Sequence, residues 1–267
     1  MQPTSIAIHG AAGRMGRRLV ALAAIDPQLK LVAAVDSPTH PDIGKDVGLL
    51  AGGSEIGVPL AEHFGDAHPQ SVIDFSVPVA AETVTAICLK RQIPLVMATT
   101  GLNDDQKQQL REASMTIPIV CSPSMSMTVN LAMKLVEQAG KTLKDSAGGV
   151  DVEIIERHHR MKEDAPSGTA LKFGEIIAGA MGQTVHRHGR EGQMGKRPAN
   201  EIGYHAVRTG DNPGEHTIVF GLLGETLEVT IKASSRDCYA IGALAAAKFV
   251  AGQKPGMYSM YDVLGLG

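Results

Sequence analysis

A chain of 267 residues with 43 % hydrophobic side chains is long enough for one large α/β domain or two modest ones, and too apolar to be disordered. Its formal charge of −3, with no basic stripe interleaved with aromatics, argues against nucleic acid as a partner. Cys88, Cys121 and Cys238 are odd in number, far apart and in no CxxC or zinc spacing, which points to a reducing, cytoplasmic setting rather than a disulfide scaffold.

The pattern then alternates between short apolar runs and longer helical ones. "TSIAIHG" reads as a buried strand, "RMGRRLVALAAID" as a helix and "LKLVAAVD" as a second strand. "QSVIDFS", "PLVMATT" and "IPIVCSP" continue as strands, separated by the helical stretches "VAAETVTAICLKRQ" and "DDQKQQLREASM". Strands alternating with helices of this length imply parallel βαβ units. Beyond Pro123 the character changes. "MTVNLAMKLVEQAGKTLK" is amphipathic, "VDVEIIERHH" is a strand, and a helix runs from Thr169 to about Met181. After the polar, Gly-rich "HRHGREGQMGKRPANE", three further strands have no helix between them, which suits a mixed or antiparallel sheet. "CYAIGALAAAKFVAGQ" is a closing helix. The expected architecture is α/β: a Rossmann-type dinucleotide-binding domain from residues 1–125 plus 237–267, and a second α+β domain on a mixed sheet, residues 126–236. No run approaches the roughly 18 apolar residues of a membrane span, and the opening residues read as a strand rather than a signal peptide, so a soluble protein is expected.

Gly10, Gly13 and Gly16 fall between the first strand and the first helix, spaced GxxGxxG, with Ala11, Ala12, Arg14 and Met15 filling the turn. Such a turn lets backbone N–H groups approach a pyrophosphate at a helix N-terminus, although glycines also serve ordinary tight turns. Arg14 is either a phosphate contact or a solvated surface residue. Asp36 ends the second strand, where a carboxylate accepts hydrogen bonds from an adenosine ribose and repels a 2′-phosphate; Ser37 rather than Arg follows it. The cofactor is therefore expected to be NADH or NADPH, with a lean to NADH. Two more loops, Ala98, Thr99 and Thr100, and Ser122, Pro123, Ser124 and Met125, follow parallel strands and belong to the edge that lines a ligand crevice.

The stretch "ERHHRMKEDAPSGTAL" is the most chemically loaded in the chain. Ser167, Gly168 and Thr169 open a helix whose free N–H groups and two hydroxyls form a cradle for a carboxylate; Ser and Thr are also the commonest helix caps. His158 and His159 lie where a strand runs out, and successive strand residues face opposite ways, so they share a role only if the strand has already ended. Lys162 lies four positions after His158; a cation there depresses the imidazole pKa and an anionic ligand raises it again, which suits proton donation to a bound anion. Four imidazoles, those of His158, His159, His186 and His188, raise the question of zinc. No carboxylate or Cys completes a familiar spacing, and Arg160 and Lys162 oppose a cation, so no metal is expected.

These motifs together resemble the bacterial dihydrodipicolinate reductase family, the 4-hydroxy-tetrahydrodipicolinate reductases of lysine and diaminopimelate biosynthesis. "GAAGRMG", "VIDFS", "TTG", "EIIERHHRMKEDAPSGTA", "REG", "IGYHAVRTGD", "GEHT" and "KASSR" carry the resemblance over nearly the whole chain, the long central motif most specifically. The resemblance implies a catalytic acid/base at His158, a second proton donor at Lys162, a substrate contact at His159 and a carboxylate cradle at Gly168 and Thr169. It implies cofactor contacts from Gly10 to Met15, at Asp36, from Ala98 to Thr100 and from Ser122 to Met125. It further implies a dicarboxylate substrate, a homotetramer, and a substrate or hinge role for Arg236. Ser124 stands where family members commonly have Asn, Thr128 where they have Gly, and Asp36 where some have a Glu-Arg pair. Two other functions compete: a semialdehyde dehydrogenase using Cys121 as nucleophile, and a non-catalytic nucleotide-sensing regulator.

Overall fold

Short, mostly aliphatic runs make strands that are buried largely on both faces, and in the first part of this chain they assemble in parallel. The computed structural model describes residues 2–266. It divides into two units, one holding the chain up to Met127 and again from Asp237 onward, the other Thr128–Arg236.

The first unit runs β1 (Thr4–His9), α1 (Arg14–Ile25), β2 (Leu29–Val35), the short α2 (Val47–Leu50) and β3 (Leu60–Ala61), then β4 (Ser71–Asp74), α3 (Pro78–Arg91), β5 (Leu95–Met97), α4 (Asp104–Ser114) and β6 (Pro118–Cys121). In the second lie α5 (Met127–Leu143, its first residue still in the first unit), β7 (Asp151–His158), α6 (Gly168–Met181), β8 (Val185–His188), β9 (Glu201–Arg208), β10 (Glu215–Gly221) and β11 (Thr226–Lys232). The chain then returns to the first unit as α7 (Asp237–Val250), β12 (Gly256–Tyr258) and α8 (Met260–Val263).

The first sheet has seven strands in the order β12-β6-β5-β4-β1-β2-β3, every pairing parallel. Order reverses on either side of β1, the switch point at which doubly wound sheets open a crevice beyond their strand ends. One face buries Ile6, Ile8 and Ile73 with Leu19 of α1 and the alanines of α7; the other buries Ala7, Val72 and Leu95 with Val84 of α3 and Leu110 of α4. Local chemistry sets the helix ends. Pro78 starts α3, Gln92 ends it in a left-handed conformation with φ of 56°, and Asn103 with Gln106 forms a capping box at α4. On α7, Asp237 pairs with Arg18 at 2.7 Å, and the carbonyl of Ala247 accepts from the Ser71 hydroxyl at 3.1 Å.

The second sheet is mixed, in the order β11-β10-β7-β9-β8. β10 is antiparallel to β7 and β11, whereas β7, β9 and β8 are mutually parallel. Along β7 burial alternates, with Val152, Ile154, Glu156 and His158 on the inner face. Helix α6 lies against that face through Phe173 and Ile177, and Gly174 is required there: a Cβ would lie 1.6 Å from the Tyr204 hydroxyl. The expected Rossmann-type unit and mixed sheet are thus both present. Four short elements, α2, β3, β12 and α8, and the strand β8 were not legible. All four residues of β8 are exposed, so it carries no apolar alternation.

Candidate functional site

In the first unit the turn after β1 is shaped by backbone crowding. Gly10 has φ of +78°, and a Cβ on it would sit 2.8 Å from the carbonyl oxygen of Phe75. A Cβ on Gly16 would sit 2.1 Å from the carbonyl of Gly10, so α1 lies directly on the turn. Gly13 is the N-cap of α1 and provides no capping side chain, which leaves the helix N-terminus suited to an anion. Arg14 and the side of Gly13 are exposed.

A cavity of about 570 Å³ opens at this edge. It is lined by Gly10, Ala12 and Gly13, by Val35, Asp36 and Ser37 beyond β2, by Phe75, Ser76 and Val77 beyond β4, and by α3 through Thr83 and Ile87. Its size and its place beyond the ends of β1, β2 and β4 fit the nucleotide of a dinucleotide cofactor. Asp36 is held rigidly at its edge: Oδ2 accepts from the Ala12 N–H and Oδ1 from the Ser37 N–H, each at 2.8 Å. The other expected loops do not line this cavity. Thr99 is buried and its hydroxyl accepts from the Ser76 N–H at 2.9 Å, while Ala98 is buried beside it and Thr100 is exposed. Ser122 accepts from the Met260 N–H at 2.7 Å; the Met125 carbonyl lies where a Cβ on Gly242 would come within 1.7 Å. Pro123 is exposed and Ser124 accepts from the Ser126 N–H.

Sequence reasoning missed the loop after β4. Its signal was available, since β4 neighbours β1 and its carboxyl end shares the crevice. There the fully buried Asp74 receives both His9 Nδ1 and the Ser76 hydroxyl on Oδ1, each at 2.6 Å.

In the second unit, two-residue periodicity puts Glu156 and His158 side by side on the inner face of β7, His158 Nδ1 at 2.6 Å from Glu156 Oε2. The strand ends at His158, and His159, half-buried, is the first residue beyond it; its N–H donates to the Asn212 carbonyl at 2.8 Å. In the loop that follows, the Lys162 N–H donates to the His159 carbonyl and the Lys162 ammonium lies 2.8 Å from Asp164. That ammonium, followed by local backbone N–H groups including Gly168, holds the Asp164 carboxyl below its usual range. Ser167 caps α6, accepting from the Ala170 N–H at 3.2 Å, and its buried hydroxyl also meets His216 Nε2 at 3.1 Å. Its capping role is therefore filled, whereas Gly168 and Thr169 stay accessible at the helix start.

Burial is the largest cause that lowers the His158 pKa; Glu156 pulls it back, and Lys162 and Arg208 depress it further. The sequence assigned that depression to the cation at Lys162, but desolvation outweighs it. Burial, with the nearby His158 charge, takes His216 down to about 4. Glu156 remains below the usual range although burial pushes it up, because Arg208, His158 and the Ser167 N–H outweigh that push.

Several of the remaining motif residues have structural partners. Arg190 of "REG" bridges Glu153 and Glu201, and Arg197 and His205 also hold Glu153. His186 and His188 stack on Tyr204 with centroids 5.7 and 5.1 Å away. Arg236 is exposed. Burial raises the Cys121 thiol, the opposite of what a thiolate nucleophile needs, which removes the basis for the dehydrogenase alternative.

A crevice for a dinucleotide in one unit and a buried histidine beside a lysine and a helix start in the other define a pyridine-nucleotide oxidoreductase. Comparison with known proteins gives the family. The model described as dihydrodipicolinate reductase, N-terminus, matches residues 4–125, and its C-terminus counterpart matches residues 128–264. A 4-hydroxy-tetrahydrodipicolinate reductase of Rhodopirellula baltica is 58 % identical over 99 % of this chain and 97 % of its own length. One from Dechloromonas aromatica is 43 % identical over the full length of both. The dipicolinate-bound dihydrodipicolinate reductase of Paenisporosarcina sp. TG-14 shares the fold, with a TM-score of 0.79 at 24 % identity, covering 97 % of this chain and 98 % of that one. The chain belongs to the dihydrodipicolinate reductase family, the NAD(P)H-dependent reductases of lysine and diaminopimelate biosynthesis.

The depressed His216 has a consequence for stability. An imidazole with a folded pKa of about 4 and an unfolded value near 6.5 takes its proton first in the unfolded chain, so stability falls as pH drops through that window. Between pH 7 and pH 5 this group alone is expected to remove about 2 kcal/mol. Urea unfolding of wild type and His216→Gln at both pH values checks this: the variant should show the smaller loss, and equal losses would contradict it.

Proposed function

We propose that this chain reduces 4-hydroxy-tetrahydrodipicolinate to tetrahydrodipicolinate, with His158 as the acid/base and Lys162 as the second proton donor. The observation that carries this reading is the buried His158, hydrogen-bonded to Glu156 and adjacent in sequence to a loop in which Asp164 meets both the Lys162 ammonium and the Gly168 N–H at the start of α6.

The reaction removes the 4-hydroxyl together with a hydrogen of the neighbouring ring carbon as water, adds a hydride at C4 and returns a proton to that neighbouring carbon, so the net change replaces the hydroxyl by hydrogen. The dihydronicotinamide, when bound, supplies the hydride, so the chain must place the substrate and supply the proton. His158 suits that task because its lowered pKa makes its proton easy to give, and a bound dianion raises the protonated fraction at the moment of use. Lys162 and His159 add positive or donor groups for developing charge on the ring nitrogen and for the carboxylates. Gly168 and Thr169 offer the N-terminus of α6 to a carboxylate, which in binding takes over from Asp164. A dicarboxylate substrate fits this donor set. A nucleotide-sensing regulator would use the first unit but leaves the His158 cluster without work.

For the cofactor, the Gly10–Met15 turn takes the pyrophosphate and Asp36 the adenosine ribose. Main-chain bonds fix the Asp36 carboxylate at the cavity edge, where it disfavours a 2′-phosphate, so NADH is the better cofactor by a modest margin. Ala98–Thr100 and Ser122–Met125, which lie outside the nucleotide cavity at the ends of parallel strands, serve as further cofactor contacts, with Ala98, Thr99 and Met125 buried in the fold. No helix among the described residues is long and apolar enough to cross a membrane, and three free cysteines suit a cytoplasmic protein. A homotetramer formed through the second sheet is supported by its outer face, where Ile155 and Val207 are each 42 % exposed.

His158→Ala should lower kcat by about 10²–10⁴-fold while the nucleotide Kd stays within about twofold; stopped-flow turnover with a nucleotide fluorescence titration reads both, and wild-type turnover would refute the role. Sedimentation velocity should give a tetramer for the wild type and a smaller species for Ile155→Glu. A wild-type monomer would reject the assembly.

A further inference from the structure

Glu156 is absent from the expected site, yet its carboxylate is the most heavily bonded group near His158. Four donors reach it. Oε1 accepts from the Ser167 N–H at 3.0 Å and from Arg208 Nη2 at 2.7 Å, and Oε2 faces His158 Nδ1 at 2.6 Å and accepts from Arg208 Nη1 at 2.8 Å. An ionised carboxylate has about four lone-pair sites and no proton to give. With the Arg208 fork and a backbone N–H on it, Glu156 stays ionised, so the proton of a neutral His158 must sit on Nδ1. The lone pair is then on Nε2.

The surroundings of Nε2 agree. A Cβ on Gly214 would lie 2.8 Å from that nitrogen, and Gly214 has φ of +149°, so only glycine leaves the space beside it open. Arg208 is itself fixed, since Nη2 also donates to the Asp164 carbonyl at 2.6 Å and Nη1 to the Val207 carbonyl at 2.8 Å. The same fork thereby holds Asp164, the residue paired with Lys162. Through the Ser167 N–H, Glu156 also sets where α6 begins.

We infer that Glu156, clamped by Arg208, is the positioning residue of this site: it fixes His158 in the Nδ1–H form with Nε2 directed at the proton-transfer position, and registers the α6 N-terminus to that nitrogen. Glu156 is buried behind these partners and acts through His158 and Ser167. The groups that face His158 are Glu156 on its own strand, Arg208 on β9, His216 on β10, and Lys162 in the following loop. Among these only Glu156 is an anion, and it alone stabilises the imidazolium. The inference rests on the reading that His158 transfers the proton, and its test separates the two.

The test is ¹⁵N NMR of the histidine rings in the full-length protein, with a pH profile of kcat/KM. Wild-type His158 should be the Nδ1–H tautomer when neutral; an Nε2–H tautomer overturns the inference with no variant needed. In Glu156→Gln the amide has one acceptor oxygen for four donors. The pKa of His158 should then fall by about one pH unit or more, the matching limb of kcat/KM should move with it, and kcat should drop more than KM rises. An unmoved His158 pKa in a folded Glu156→Gln protein also overturns it. Arg208→Lys keeps the charge but loses the fork, and should retain the tautomer while kcat falls; unchanged kcat there counts against the clamp. Should His158→Ala turn over normally while the Glu156-dependent tautomer is observed, the catalytic reading fails and the positioning geometry stands.

Discussion

A carboxylate that is 1 % exposed is expensive to bury, and Glu156 is buried at the point where β7, β9 and the start of α6 meet. The cost is tolerable only because every lone pair has a donor. Those donors come from three separate elements: the guanidinium of β9, the imidazole two residues along β7, and the first N–H of the turn into α6. Removing Arg208 leaves that charge uncompensated in a poorly solvated place, and removing either other donor leaves a buried lone pair unpaired, so the three elements are locked in register by electrostatics as well as by packing. The mixed sheet puts these groups on one face, since β7 runs parallel to β9 and pairs His158 with Arg208 in register.

The first unit depends on a different constraint, close approach of backbone to backbone. Gly10 and Gly16 bring the end of β1, the loop after β4 and α1 into contact that no side chain would permit. The nucleotide cavity is a by-product of that crowding: the chain turns so tightly that the strand ends remain open. Asp36, tied to the same turn through the Ala12 N–H, cannot swing away from the cavity edge. The proposed proton-transfer site and the proposed cofactor site thus rest on separate physical means, charge compensation in one unit and steric economy in the other.

Much of this was legible in the sequence because it was local. β-Branched runs such as "TSIAIHG" and "QSVIDFS" could only be buried strands, and the glycine turn declared itself by falling between a strand and a helix. The His158–Thr169 stretch was conspicuous because so many polar groups precede an apolar helix. What was not legible depended on partners far along the chain. Arg208 lies 52 residues from Glu156, and no local pattern announces their pairing. The alternation Val152, Ile154, Glu156, His158 did place Glu156 on the buried face, and a charge in that position was the available signal. The Ser167 hydroxyl looked like a ligand group, but a helix start needs a cap, and the cap took it. β8 escaped because an edge strand with four exposed residues carries no hydrophobic period.

The central claim is that the two units serve one reduction, and the most direct test is the decay of the reduced-nicotinamide absorbance when purified protein meets freshly generated 4-hydroxy-tetrahydrodipicolinate. Parallel runs with NADH and with NADPH should both show substrate-dependent oxidation, the NADH run being modestly faster at limiting cofactor. A trace that stays flat with both nucleotides, from protein shown to bind them, would contradict the account.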